Sequence, residues 1–365
     1  MRDTIPVAAP VLRGNEAEYV TDCIESTWIS SKGDYIDVFE DKFADFCQTK
    51  HAVSCSNGTV ALHLALEAFG VGDGDEVVVP DLTFISTANA AKYCGATPVF
   101  VDVDPDTWTL DPDNLEAVMT ENTAAIIPVH LYGHPVDMDP VIKIADAYDA
   151  VVIEDAAEAH GAEYKNQRVG SIGDAATFSF YGNKIVTTGE GGMVVTDNDL
   201  INERLRRLKD LCMDPGKRYW FPEIGYNYRM TNIQAAIGCA QMEDIDWHLH
   251  RRREIAEWYD SYLNGVNVAM TPVEREWAEH AYWMYSIVLE DTLSRDAVMS
   301  KLESRGIETR PFFYPMTSMP PYKDTNCNTP TSATLAKSGI NLPTWAGLSK
   351  NDIKYVCQEL INCFQ

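Results

Sequence analysis

Between Glu76 and Thr196 the chain alternates short apolar runs with stretches of helical spacing. Residues 77–80, 98–103, 124–130, 151–154, 176–180 and 193–195 read as strands, and residues 86–94, 113–120 and 140–148 as helices. Apolar strand runs separated by amphipathic helices predict a mostly parallel sheet covered on both faces. Ligands of such α/β sheets bind beyond the carboxyl ends of the strands. After Thr196 the pattern changes. Residues 198–211 read as an amphipathic helix capped by Asn198 or Asp199, and residues 231–263 as a long helical connector with room for a break. Farther on, a strand at 285–289 and helices at 294–304 and 350–363 predict a smaller α+β unit. The expected division is a large domain over residues 1–250, N-terminal segment included, and a smaller C-terminal domain over 251–365.

Composition narrows the function classes. The chain has 365 residues, of which 45% are apolar, enough for a two-lobed enzyme. A formal charge of -26 argues against nucleic acid or an anionic membrane as partner. No apolar run approaches the length of a membrane span, and the N-terminus has no signal-peptide core. The nine cysteines lack CxxC or CxxxC spacing, which predicts free thiols, a cytoplasmic setting and no metal site.

Four local features carry chemistry. Ser56-Asn57-Gly58-Thr59 precedes an apolar helical run, which makes either an ordinary cap or an anion cup. Glu154-Asp155 closes a buried strand, so a carboxylate either caps the next turn or faces the ligand crevice. Phe84 lies just past another strand end, as core or as a stacking ring. Lys184 sits in a turn between two strand-like runs, followed by Gly189-Glu190-Gly191-Gly192. Crowding of this kind lowers a lysine pKa and turns its amine into a nucleophile toward carbonyls. A phosphate cup, a stacking ring, a carboxylate and a buried lysine are together what pyridoxal 5'-phosphate (PLP) requires.

The ordered stretches "SNGTVALHLAL", "VVVPDLTFISTANA", "PVHLYG", "IEDAAEAHGA", "GDAATFSFYGNKIVTTGEGGMVVT" and "GYNYRMTNIQAAIG" resemble the DegT/StrS nucleotide-sugar aminotransferases. The resemblance runs from Ile5 to the C-terminal helix. It implies an aspartate-aminotransferase-like fold (PLP fold type I), with a large domain around a mostly parallel mixed sheet and a smaller α+β domain. It also implies that Lys184 forms the Schiff base with the cofactor and that Asp155 meets the pyridine nitrogen. Ser179, Gly58 and Thr59 are expected to hold the phosphate, and Phe84 to stack on the ring. Glu158 takes a place near the ring hydroxyl that many members fill with glutamine, and a shared proton is expected there. Lys184 excludes the dehydratases of the family, which carry histidine at that position.

Asn227 is implied to reach the phosphate in a second subunit, hence a homodimer with shared sites. The reaction implied is transfer of an amino group from L-glutamate, through the pyridoxamine 5'-phosphate form, to C4 of a nucleotide-linked 4-keto-6-deoxy sugar. The resemblance favours GDP-4-keto-6-deoxy-D-mannose, with dTDP- or UDP-linked sugars as alternatives. Lys217, Arg218, Tyr219 and Trp220 are candidates either for the substrate or for a dimer contact, and Arg310 for an anion or a surface ion pair. A non-catalytic PLP-binding regulator is the rival of another class, and the intact lysine, aspartate and serine weigh against it.

Overall fold

The computed structural model describes residues 4–266, 270–290, 292–325 and 327–364. Two helices, α1 (Glu16–Glu25) and α2 (Asp34–Cys47), precede the first strand, β1 (His51–Cys55). Then follow α3 (Gly58–Ala68), β2 (Glu76–Pro80), α4 (Ser86–Tyr93), β3 (Thr97–Val101), the one-turn α5 (Pro112–Leu115), β4 (Thr123–Ile126), α6 (Met138–Tyr148) and β5 (Val151–Asp155). A short hairpin, β6 (Glu163–Tyr164) and β7 (Gln167–Arg168), leads to β8 (Ala175–Ser179), β9 (Gly192–Thr196) and α7 (Asp199–Lys209). The central sheet has the order β1-β9-β8-β5-β4-β2-β3. Its pairs are parallel from β3 through β8, and β9 runs antiparallel to both β8 and β1. The valines of β2 are completely buried, as expected of a strand with helices on both faces.

Two expected elements differ. The helix at 113–120 is one turn of α5 and a 3-10 turn, Glu116–Val118. Met119 is extended, and the Thr120 N–H is taken by Thr123 Oγ1 at 3.0 Å, so the entry to β4 displaces further helix. The strand at 124–130 leaves the ladder after Ile126, because Pro128 has no N–H to offer. The chain nonetheless stays beside β5, with the Asp155 N–H on Pro128 O at 2.9 Å and the His130 N–H on Asp155 O at 3.1 Å.

The connector is broken at Asp244 into α8 (Asn232–Glu243) and α9 (Ile245–Leu263). Thr231 and Gln234 close a capping box on α8, while Asn198 caps α7 by accepting from Leu200 and Ile201. Beyond α9, β10 (Ala278–Glu279) pairs with β6. A three-stranded sheet follows, built from β11 (Tyr285–Val288), β12 (Arg310–Pro311) and β13 (Gly339–Leu342) in the order β11-β13-β12. The helices α10 (Arg295–Ser304), α11 (Pro330–Ser338) and α12 (Lys350–Asn362) accompany it. The core here gathers Tyr259, Tyr285, Ile287, Leu302, Ile340 and Val356, and Ile5 from the chain start joins it.

Buried polar ties fix this part to α9 and to the central sheet. Arg252 on α9 is buried and donates to the carbonyls of Trp283 and Thr344, both at 2.8 Å. Asp81, just past β2, accepts from Thr317 N–H at 2.8 Å and from the Thr329 hydroxyl at 2.5 Å. Bonds of this charged, buried kind stabilise more than exposed ones and are costly to break.

Candidate active site

The carboxyl ends of β2, β5 and β8 open onto one cavity of about 730 Å³. Strand alternation sends the two acids at the end of β5 to opposite faces. Glu154 is fully buried and structural: it pairs with His130 Nε2 at 3.0 Å and accepts the N–H groups of Gly170, Ile172 and Gly173. Asp155 lines the cavity. Its Oδ2 accepts from Thr87 Oγ1 at 2.8 Å and its Oδ1 from the Ala157 N–H at 3.2 Å. Burial pushes this carboxyl up, opposed by the Thr87 and Ala157 bonds and by Lys184. A buried carboxylate so placed gains most from a cationic donor arriving in the cavity.

The opposite wall is the first turn of α3. Asn57 Oδ1 takes the Val60 N–H at 3.0 Å, so Asn57 is a true cap. The first-turn N–H groups of a helix have no intrahelical acceptors, and with the helix dipole they favour an anion. A Cβ on Gly58 would come within 2.7 Å of Ser179 Cβ, so only glycine lets this turn close on the end of β8. Gly58, Thr59 and Ser179 therefore form one cradle, with the Thr59 hydroxyl 2.7 Å from that of Ser86. The capping reading of this stretch holds, and it leaves the turn open to an anion as well.

Lys184 hangs from the β8–β9 connection. Its N–H bonds Tyr181 O at 2.9 Å, and the Phe180 N–H meets Gly191 O at 2.8 Å. A Cβ on Gly192 would stand 2.3 Å from Asn57 O, so the glycine run lets β9 start directly against the cap of α3. Lys184 Nζ lies 3.5 Å from Glu158 Oε1 and 3.9 Å from the centroid of the Trp283 ring. At 3.5 Å the Glu158 contact is a weak hydrogen bond. Cation–π attraction over a desolvated ring contributes about 1–2 kcal/mol, so the ring face is at least its equal. Burial pushes the Lys184 amine down, opposed by the charges of Glu158 and Asp155. Glu158 is pushed up by burial, while its other oxygen accepts the Tyr132 N–H at 2.9 Å. Neutral amine and protonated acid are thus both favoured by burial, which suits the shared proton expected at Glu158.

Phe84 lines the cavity, half of it open to solvent, with its edge on Phe313 at 5.8 Å. Arg310 enters from β12, its nearest acid Glu308 at 3.8 Å, and it also lines the cavity. Lys217, Arg218, Tyr219 and Trp220 do not. They stack on one another in an exposed turn, with Lys217 Nζ 3.6 Å from the Trp220 ring and Arg218 4.9 Å from that of Tyr219. Asn227 is also exposed and outside its own chain's cavity, its Oδ1 accepting from Arg229 at 2.8 Å. His160 is buried among Phe43, Phe178 and Phe180, and burial pushes its imidazole down to about 3.

Trp283 and Thr87 were not anticipated. Trp283 covers the amine and donates its indole N–H to Asn183 O at 2.8 Å. Nothing in "HAYWMYSIV" signals this, because the contact depends on how the two parts of the chain dock. Thr87 had one local sign, a hydroxyl three residues after Phe84 in the first turn of α4.

A cradle for an anion, a buried carboxylate and a buried amine around an open ring face suit a planar, cationic phosphate ester with a carbonyl. The known proteins most like this chain agree with that chemistry. The model of the DegT/DnrJ/EryC1/StrS aminotransferase family matches residues 10–361. A GDP-perosamine synthase of Caulobacter vibrioides is 52% identical, with 98% of this chain and 97% of that protein covered. One from Escherichia coli O157:H7 is 48% identical over 98% of this chain and 97% of its own. Among solved structures, the Streptococcus pneumoniae protein Spr1654 in its PLP form superposes with a TM-score of 0.93 at 29% identity, covering 99% of this chain and 98% of that one. A match that extends from before α1 into α12 spans the cradle, the carboxylate and the lysine turn alike, and on it the chain belongs to the DegT/DnrJ/EryC1/StrS aminotransferase family.

Proposed function

We propose that the chain transfers the amino group of L-glutamate to C4 of GDP-4-keto-6-deoxy-D-mannose, giving GDP-perosamine, with PLP as cofactor. The observation that carries the chemistry is the Lys184 amine, buried 3.5 Å from Glu158 in the cavity that Asp155 and the Gly58–Ser179 cradle also line. The choice of sugar rests on the two relatives named above, both similar over nearly their whole length.

Gly58, Thr59 and Ser179 hold the phosphate in this reading, Phe84 lies against the ring, and Asp155 meets the ring nitrogen. When bound, PLP supplies an electron sink for the pair left behind as a proton leaves carbon. Lys184 anchors the cofactor between turnovers. Released from that role, Nζ takes the α-proton of glutamate and, in the return half, gives a proton to the sugar carbon that was the ketone. Burial makes Nζ a base, while Glu158 and the Trp283 face keep its protonated form accessible, so one group serves in both directions. Arg310, a cation among the cavity-lining residues, is suited to a carboxylate or diphosphate oxygen. The test is a panel of GDP-, dTDP- and UDP-linked 4-keto-6-deoxy sugars with glutamate, read by product mass. Amination of the GDP-mannose derivative first is expected. Preference for a dTDP- or UDP-sugar overturns the sugar, and turnover of none overturns the enzyme.

The working form in this reading is a cytoplasmic homodimer in which Asn227 serves the second subunit's cofactor phosphate, with the Lys217–Trp220 turn at the shared entrance. Support comes from the exposure of Asn227 and of apolar Trp220, Phe221 and Ile224 around it, the last 88% exposed. Free cysteines and the absence, among the described residues, of a helix long and apolar enough to cross a membrane accord with this setting. An obligate dimer should bury more than about 2,000 Å². Mixing Asn227→Ala with Lys184→Ala chains and allowing exchange should restore activity, because each mixed dimer keeps one intact site. Statistical exchange gives about a quarter of wild-type activity. Mixtures no more active than the Asn227→Ala parent, given a strongly impaired parent and exchange confirmed by mass, rule out the shared site.

A further inference from the structure

We propose that His63, Glu67 and Cys94 form a binding site for one zinc ion per chain, outside the cavity that holds Lys184. His63 and Glu67 stand four residues apart on α3, one turn on the same helix face. Cys94 is the C-cap of α4, the helix packed beside α3. One ligand atom from each lies within 4.8 Å of the others, and His63 Nε2 is 3.5 Å from Glu67 Oε1. Tetrahedral zinc separates nitrogen and oxygen ligands by about 3.4 Å, and sulfur from either by about 3.6 Å. The histidine and glutamate are therefore already at ligand spacing, and the thiol needs to close by only about 1 Å.

A second observation points to a ligand. His63 is 4% exposed, and its buried Nε2 makes no hydrogen bond of proper geometry, with Glu67 Oε1 3.5 Å away. Its other nitrogen, Nδ1, is 3.2 Å from the Tyr228 hydroxyl. With Nδ1–H donating to that hydroxyl, the Nε2 lone pair faces Glu67 and Cys94, as the outer-shell hydrogen bond does for zinc-binding histidines. Tyr226 and Tyr228, stacked at 4.9 Å, pack their rings against the imidazole and fix it. Imidazole with thiolate favours zinc over magnesium or calcium, and three protein ligands leave a fourth position for water.

The site would clamp two helices that also serve the cradle. At their other ends α3 and α4 are joined by the Thr59–Ser86 hydroxyl contact. The ion is thus placed to stiffen the cradle from behind without touching the reacting atoms.

Cobalt(II) titrated into the full-length, cofactor-loaded protein after chelator treatment tests this directly. The expected result is saturation at one ion per chain, with the intense visible bands of tetrahedral cobalt, bleached by zinc. Cys94→Ser and His63→Gln should weaken binding at least about 100-fold, with melting curves of the metal-free proteins near wild type. The absence of a saturable visible signal, or a signal that Cys94→Ser leaves unchanged, overturns the proposal. Should His63→Gln fold poorly, Glu67→Gln and Cys94→Ser still decide it, because both residues are only half-buried.

Discussion

Replacing Lys184 with alanine is expected to abolish transamination, by roughly ten-thousand-fold or more, and to remove the visible absorbance of lysine-bound cofactor. The position admits no substitute. Among the described residues Arg310 is the other cation lining the cavity, and a guanidinium neither adds to carbonyls nor gives up its proton at working pH. Lys184→Arg separates charge from chemistry: it keeps a cation beside Glu158 and Trp283 yet should be as inactive as Lys184→Ala. Cofactor should still bind both variants more weakly through the Gly58–Ser179 cradle, detectable by equilibrium dialysis. Turnover of Lys184→Arg above a hundredth of wild type would mean that Nζ supplies charge, not proton transfer.

Asp155→Asn should leave the fold intact and lower the rate by about a hundred- to a thousand-fold, the size of effect seen when one preorganised electrostatic contact is lost. The substitution is isosteric, and one amide oxygen can still accept from Thr87, whose hydroxyl stands 2.8 Å from Oδ2. What disappears is the negative charge that the proposed reading sets opposite the ring nitrogen of the cofactor. Burial pushes the Asp155 carboxyl up in the protein alone, so its charge depends on cationic neighbours. A protonated ring nitrogen would be one such neighbour, and an asparagine cannot hold that proton in place. Single-turnover rates with glutamate, alongside thermal melting, check both halves. A near-normal rate would leave Asp155 as no more than a cap for Ala157.

Much of this site was legible because its parts are local. The Gly58 turn, the acid at the end of β5, Ser179 and the Lys184 turn each sit where a strand or helix ends, and such endings carry glycine, polar and charged residues against an apolar background. The parallel sheet was legible for the same reason: its strands are buried on both faces and read as apolar runs. What escaped depends on distant packing. The edge strand β1 pairs only with β9, and α1 and α2 come before the alternating region, so none of them belongs to a repeating pattern. Trp283 and Phe313 reach the cavity through long-range docking, in which Asp81 ties the C-terminal part to the end of β2 and Arg252 ties α9 to the flanks of the C-terminal sheet. The helix expected at 113–120 failed for a local reason instead, since the Thr123 hydroxyl competed for its last N–H.

The Trp283 indole bears on how the protein is made. Chains emerge from the ribosome N-terminus first, at roughly 5–20 residues per second. Asn183 and Trp283 are 100 positions apart, so the nascent lysine turn waits roughly 5–20 seconds for the ring that will cover it. Until then the amine lies beside its two acids without a lid, open to water and to any passing aldehyde. A fragment ending before Trp283 would carry the lysine but lack the ring that covers it.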